Sequence, residues 1–250
     1  DDGYRDTLRA AAPILRRHAA PYTVYATPGF ADRTARMWWV ELEEAVRRLS
    51  RIETQIAGET LSLPARDGAE KTTAFFAIYW RLRALPEPDL LAAVARLASD
   101  AGVDPFAAAR DLCCDWSELA ELAADPLCTI GAHTMTHPRL ATLPPEAARA
   151  EMADSRAVLR DRLGVEARHF AYPVGDPTSA GRRDFEAAKE LGFETGVTTR
   201  PGMLFPEHGG DLLALPRVSV NGAWQRLEVL DILLSGAAFA LWNRGKRLAA

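Results

Sequence analysis

The sequence predicts an α/β fold: a parallel sheet wrapped by helices, either open or closed into a barrel. From residue 127 onward, short β-branched and apolar runs alternate with segments of helical period, the pattern of successive strand–helix units. Several of the helical segments stop at glycine, as residues 145–163 do at Gly164. With 250 residues, 48% hydrophobic and 26% charged, the chain has the size and composition of a single large globular domain, and barrels commonly reach this length undivided.

Taken in order, residues 5–18 place Leu8, Ala11, Ile14 and Leu15 at helical spacing. Arg16, Arg17 and His18 gather where a helix C-terminus favours cations. Pro13 within that run predicts a kink or a second start. Residues 22–26 read as a strand stopped by Pro28-Gly29. The chain begins at Asp1 without methionine, inside what reads as a motif, so a first strand and any signal peptide are expected upstream of it. Residues 37–49 form a helix with Trp38, Leu42, Val46 and Leu49 on one stripe, and 52–56 with 60–63 form a hairpin around Gly58.

Residues 69–123 read as nearly continuous helix. The first segment, 69–85, holds Phe75, Phe76, Ile78, Tyr79 and Trp80 and ends at Pro86 and Pro88. Segments 89–98 and 105–112 follow, and Asp115 with Glu118 predicts a capping box for 116–123. The helical spacing of the aromatics favours core packing over a ligand groove. Beyond this point, strands are expected at 127–132, 169–172, 195–199 and 215–220, and helices at 145–163, 183–191, 225–234 and 237–248. The apolar run 229–242, followed by Lys246 and Arg247, reads as a helix packed on the domain in preference to one lying on a membrane surface.

A net charge of -4 argues against nucleic acid as a partner, because phosphate binding needs clustered cations. No stretch approaches the roughly 18 consecutive apolar residues of a transmembrane helix. The three cysteines, Cys113, Cys114 and Cys128, are odd in number and two are adjacent, so they read as buried thiols.

The residues that suggest chemistry are His133 and His137, just after a predicted strand. If the backbone turns helical after Ala132, their spacing puts both imidazoles on one face, a partial ligand set for zinc. Asp1-Asp2 offers a third ligand. Alone, Asp-Asp-Gly is a common turn and a histidine pair is surface or core; together they favour a metal.

Three segments, Asp1-Asp2-Gly3-Tyr4, then His133-Thr134-Met135-Thr136-His137, then Phe170-Ala171-Tyr172-Pro173-Val174-Gly175, resemble in order three motifs of the polysaccharide deacetylases, the NodB-homology group or carbohydrate esterase family four. The resemblance covers residues 1–29 and 127–220 and leaves 37–123 as a helical insertion between the first and second motifs. It implies a distorted parallel (β/α) barrel, one catalytic domain over 1–250. It also implies a metal-dependent hydrolase that removes N-acetyl groups from a sugar or polysaccharide of chitin-like, peptidoglycan or exopolysaccharide type.

Carried over, Asp1 is the catalytic base, and Asp2, His133 and His137 bind the metal. Zinc is the first choice, and cobalt, manganese or iron suit the same donors. The backbone N–H of Val174 would face the oxyanion at a position that is commonly aromatic in the family. Many members carry an arginine two residues before this proline, where the chain has Ala171, and Arg217 is the candidate replacement. The family's late Leu-x-x-His motif is missing, since no histidine follows His208. His208 is therefore a substitute acid candidate, with an exposed loop histidine as the plainer reading. These departures leave two alternatives open: hydrolysis of a non-sugar linear amide C–N bond, and a catalytically silent sugar-binding homologue.

Overall fold

The computed structural model describes residues 1–220, 222 and 225–245. The first helical stretch forms as expected, and Pro13 is accommodated without breaking it. Residues Thr7–Ala11 take π-helical geometry and run into α1, Ala12–Arg17. Proline lacks the N–H that an α-helix needs at this point, and the wider π turn absorbs the mismatch. Strand β1, Tyr22–Ala26, follows. Pro28-Gly29, read in the sequence as a stop, instead opens a one-turn helix α2, Pro28–Ala31, with proline at the first turn where its missing N–H costs nothing.

Next come α3 (Trp38–Arg48), the hairpin β2 (Arg51–Ile56) and β3 (Glu59–Pro64), then α4 (Gly68–Arg83), α5 (Glu87–Asp100), α6 (Ala107–Leu112) and α7 (Trp116–Ala123). The Asp115–Glu118 capping box is present on both of its hydrogen bonds. The second half alternates β4 (Cys128–Ala132), α8 (Pro145–Leu163), β5 (His169–Ala171), α9 (Arg182–Glu190), β6 (Thr195–Pro201) and β7 (Leu215–Arg217), and closes with α10 (Leu227–Leu234) and α11 (Ala237–Trp242). Gly164 ends α8 in the left-handed conformation at φ 68°. The expected continuation of the last helix, with Lys246 and Arg247, lies outside the described residues.

Five strands form one sheet in the order β1-β4-β5-β6-β7, every neighbouring pair parallel. The fold is thus the expected α/β arrangement of a parallel sheet wrapped by helices. Because all strands point one way, their C-terminal ends share one rim, where α/β folds place their chemistry. The register puts Ala26, Ala132 and Phe170 side by side, and Val197 beside Ala171. The segments that leave this rim begin at Thr27, His133, Tyr172 and the end of β6. The N-terminal residues bridge the two edge strands: Arg217 of β7 holds Asp1, while Gly3 lies against Ala26 of β1.

Two larger cores and a small one, of Phe30, Ala35, Met37, Ala109 and Cys113, divide the buried apolar residues. Beneath the sheet lie Val24, Ile130, Met152, Phe170, Tyr172 and Phe193. Helices α3, α4 and α5 and the hairpin bury a separate set, including Leu42, Ile52, Ile56, Ile78, Leu82 and Leu90. Each such side chain contributes about 1.5–3 kcal/mol through burial, so the lobe is a packed body and not a loop. Helix α7 joins the sheet's core instead, through Leu119 and Leu122. Two arginines fasten the lobe to the rim. Buried Arg139 donates to the carbonyls of Arg83 and Leu85 at the end of α4, and Arg83 pairs with Asp176 at 2.8 Å. Arg139 thereby also caps carbonyls at the C-terminal end of α4 that would otherwise lack donors.

Candidate active site

Strand β4 delivers His133 to the rim, and the loop after it is held at several points. The His133 N–H donates to the Ala26 carbonyl at 3.1 Å, and its own carbonyl accepts from the Thr27 hydroxyl at 2.8 Å. Here the structure corrects the sequence expectation. His133 and His137 do not share a helical turn: Thr134 and His137 have φ of 62° and 65°, left-handed values outside the α-helical region. The two imidazoles meet because the loop doubles back, with the Thr134 hydroxyl accepting from the His137 N–H at 3.0 Å.

Glu151, on α8, pins the loop's crown by accepting from the N–H groups of Met135 and Thr136 and from the Thr136 hydroxyl, at 2.8, 2.9 and 2.7 Å. On its other side, the Met135 carbonyl accepts from the Gly29 N–H at 2.9 Å. A Cβ on residue 29 would sit 2.5 Å from that carbonyl oxygen, so only glycine permits this approach.

His133 Nδ1 lies 2.7 Å from the Ala171 carbonyl, which can only accept, so the ring proton is fixed there. Nε2 is left with its lone pair facing Asp2 Oδ1, at 3.6 Å, and His137 Nε2 lies 3.0 Å from the same oxygen. One donor atom from each of the three residues falls within 4.8 Å of the others. Asp2 Oδ1 is buried and makes no hydrogen bond among the described residues. An unsatisfied buried carboxylate oxygen is costly, and the His133 Nε2 lone pair turned toward it does not satisfy it. A divalent cation at the point of convergence would satisfy all three, and two imidazoles with one carboxylate suit zinc and its neighbours in the first transition row.

Electrostatics agree with the ligand protonation states such an ion needs. Burial by itself would raise the Asp2 carboxyl, but His137 and His133 outweigh it and hold Asp2 below the usual carboxylate range. Burial also lowers His133 to about 3, against the opposing pull of Asp2, so the imidazole is neutral. His137 Nδ1 has no hydrogen-bond partner among the described residues. Its ring is held by aromatic packing, 4.8 Å from Trp39 and 5.8 Å from Phe30, centroid to centroid.

Asp1 stands beside this cluster in a two-pronged pair with Arg217, at 2.9 and 2.7 Å, and the Arg217 Nε–H donates to the Thr198 carbonyl at 2.7 Å. Arg217, the candidate replacement for the family arginine, is thus paired with the Asp1 carboxylate. Val174 also reaches the site, at φ 62°, a strained value for a β-branched residue. Its carbonyl accepts from the Thr199 hydroxyl at 2.6 Å, and the Thr199 N–H donates to Gly175 at 3.1 Å. Its own N–H has no protein acceptor among the described residues.

A cavity of about 270 Å³ gathers Asp1, Asp2, His133, His137, Val174 and Thr199, together with Trp38, Trp39 and Tyr79 from the lobe. The sequence reading favoured core packing for the aromatics of 69–85, Tyr79 among them, placed Trp38 on a helix stripe and did not single out Trp39; all three pack in or against the lobe's core and also line the cavity. Trp38 does pack in the lobe's core, yet it faces the cavity as well. Helical period identifies a face but not the partner of that face. Glu151 and Thr199 were missed too, and nothing in the one sequence marks them. His208 is buried, contrary to the exposed-loop reading, but it is not among the residues that line the cavity. It is held instead by the N–H of Phe205 at its Nδ1, 3.1 Å, and by stacking on the Phe205 ring.

A family model described as Polysaccharide deacetylase matches residues 1–196. The chain belongs to the polysaccharide deacetylase family. YxkH of Bacillus subtilis (strain 168), which carries the family's name, is 31% identical over 114 residues, 46% of this chain and 36% of that protein. The chain thus matches about a third of the length of this relative. Among solved structures, Streptococcus pyogenes deacetylase PplD in complex with acetate superposes with a TM-score of 0.55 at 18% identity, over 93% of this chain and 67% of PplD. A de-N-acetylase from Aggregatibacter actinomycetemcomitans gives 0.54 at 12% identity, over 93% of this chain and 72% of its own. At these identities the likeness is one of fold. Within a polysaccharide deacetylase frame, Trp39 stands against His137 and provides an aromatic wall on a cavity where Val174 is aliphatic.

Proposed function

We propose that the chain is a metal-dependent hydrolase that removes N-acetyl groups from an acetylated carbohydrate. The observation that carries the reading is the convergence of Asp2, His133 and His137 on one point beside an aspartate held by an arginine. These three residues would hold the cation, with zinc favoured and cobalt, manganese or iron compatible. When bound, it supplies a Lewis acid that makes water nucleophilic at neutral pH and polarises an acyl oxygen.

The remaining steps belong to the chain. Asp1, oriented by Arg217, accepts a proton from the attacking water. The Val174 N–H, free of protein acceptors and fixed through Thr199, donates to the oxygen on which charge develops. Collapse breaks the C–N bond and releases acetate, and the amine leaves with the proton that Asp1 took. His208 is not assigned the acid's role, since the cavity that holds Asp1 does not include it. The lobe formed by α3, α4 and α5 belongs to the same catalytic unit, because Trp38, Trp39 and Tyr79 complete the cavity.

The test is acetate release from N-acetylglucosamine oligomers by zinc-loaded wild type and Asp1→Asn, with bound zinc measured in both. Wild type releases acetate; Asp1→Asn keeps its zinc and loses turnover by about 10²-fold or more, the size of a general-base contribution. Turnover by Asp1→Asn at the wild-type rate would remove Asp1 as the base. Zinc-loaded wild type without acetate release would remove the deacetylase reading in favour of another amide or a silent homologue.

A further inference from the structure

Three buried polar atoms face the seam between the lobe and the rim without a hydrogen-bond partner among the described residues: His137 Nδ1, Arg139 Nε and Glu87 Oε2. Their neighbourhood follows from bonds made beside them. The terminal nitrogens of Arg139 donate to the carbonyls of Arg83 and Leu85. The segment from His137 to Arg139 therefore lies against the turn that enters α5, whose first residue is Glu87. The charges show the same closeness. Burial raises the Glu87 carboxyl, and Arg139, His137 and the Arg139 N–H oppose it. Burial lowers the Arg139 guanidinium, and Glu87 is the strongest opposing group.

Each residue has a plainer role, but that role leaves its buried atom unexplained. A carboxylate in the first turn of a helix suits the helix dipole. Asp89 fills that role for α5 from an exposed position, and nothing in it requires Glu87 Oε2 to be buried. Arg139 fastens the lobe with its terminal nitrogens, and its Nε–H remains. Leaving such atoms unpaired is costly. The three are complementary: Arg139 Nε–H can only donate, His137 Nδ1 donates when it carries the ring proton, and a carboxylate oxygen accepts. One carboxylate oxygen can serve both donors, directly or through an ordered water, which in protein interiors makes about three hydrogen bonds.

The position of the ring proton decides whether His137 can bind a cation. In His133 the Ala171 carbonyl fixes that proton on Nδ1, at 2.7 Å. His137 turns Nε2 toward Asp2 Oδ1, at 3.0 Å, and no protein acceptor meets its Nδ1 among the described residues. A proton on Nε2 would occupy the lone pair that a cation needs, so an acceptor at Nδ1 selects the ligating tautomer. The Trp39 and Phe30 rings that pack on His137 offer no strong acceptor. Both oxygens of Glu151 are taken by Met135 and Thr136. Of the groups acting on this seam, Glu87 remains.

We propose that Glu87 is a positioning residue of the metal site: its carboxylate accepts the His137 Nδ1–H, directly or through one water shared with Arg139, and holds the imidazole in the tautomer that presents Nε2 to the cation. Carboxylates commonly orient metal-binding histidines in this way. Because Glu87 belongs to a lobe helix, docking of the lobe sets metal affinity as well as completing the cavity. This rests on the reading of Asp2, His133 and His137 as metal ligands.

The experiment follows the His137 ring by NMR of the zinc-loaded chain with isotope-labelled histidine, and measures zinc affinity by competition titration. Wild type is compared with Glu87→Gln, Glu87→Ala and Asp89→Asn, the last removing an exposed charge from the same turn of α5. In wild type, His137 carries its proton on Nδ1, and that proton exchanges slowly with water. Glu87→Ala speeds the exchange and weakens zinc binding by about 10- to 100-fold, the usual size for an outer-shell partner. Glu87→Gln, which keeps an acceptor of the same shape, falls between, and Asp89→Asn matches wild type. Should Glu87→Ala fail to fold, Glu87→Gln carries the same comparison. Zinc affinity or proton exchange that the Glu87 variants leave unchanged overturns the positioning role, as does an equal loss in Asp89→Asn. Wild type that binds no zinc removes the metal reading and this role with it, whereas zinc binding indifferent to Glu87 removes this role alone.

Discussion

The pair between Asp1 and Arg217 offers a prediction whose size follows from geometry. Arg217→Met keeps most of the apolar stem but removes two N–H groups that donate to the Asp1 carboxylate at 2.9 and 2.7 Å, and a third that donates to the Thr198 carbonyl. A hydrogen bond to a charged group contributes about 1.5–3 kcal/mol. The Arg217 and Asp1 side chains keep 29% and 24% of their exposure, so water screens part of the loss and the lower half of that range applies. Asp1 in the variant no longer has a fixed rotamer, so the loss falls on the step in which it accepts a proton. At 1.36 kcal/mol per tenfold, kcat drops about 10- to 50-fold. Zinc content stays at the wild-type level, because no metal donor atom contacts Arg217. Arg217→Lys falls between the two, since an ammonium keeps the charge but loses the fork. The assay is steady-state acetate release with bound zinc measured on the same samples. A variant that turns over at the wild-type rate would refute the positioning role; one that loses zinc in step with rate would place Arg217 in the metal site instead.

Two further outcomes follow from the way the rim is fastened. Glu151→Gln keeps one acceptor but halves the acceptor set that holds Met135 and Thr136, and it should weaken zinc binding by about 10-fold or more, as outer-shell changes at metal sites do; unchanged affinity in a competition titration would show that the loop holds its shape without Glu151. Asp176 is held down to about 2 from an ordinary 3.8: burial works against this, and the Thr178 hydroxyl and the Arg83 guanidinium prevail. A depressed acid contributes stability that is whole above its unfolded value and lost as pH falls through the folded one, so the Arg83–Asp176 fastening weakens between about pH 4 and pH 2. Near-UV circular dichroism should change across that window in wild type and less so in Asp176→Asn, and superimposable titrations would contradict this.

Much of the fold was legible in the sequence because the signals were local. The Asp115–Glu118 box, the glycine stop at Gly164 and the strand–helix alternation each depend on a few adjacent residues. The metal cluster was legible as a set of residues but not as a shape. Four-residue spacing suggested a helical turn, whereas the loop takes left-handed backbone at Thr134 and His137 and is held by Glu151, 15 to 16 residues from the positions it binds. Long-range partners of this kind leave no mark in one sequence. The aromatic stripe of α4 illustrates the opposite limit: its period was plain, but whether those rings met a core or a cavity depended on α3 docking beside the rim. Arg217 came forward only because Ala171 stood where a family arginine was expected, and the parallel pairing of β6 with β7 is what brings it to Asp1.

The most direct test of the central claim is a zinc titration by calorimetry of the wild-type chain and of His137→Ala. Wild type binds one zinc per chain, and the variant, which has one of its three protein donors removed, loses affinity by at least about 10²-fold. Equal zinc affinity in the two proteins, or no zinc bound by wild type, would contradict it.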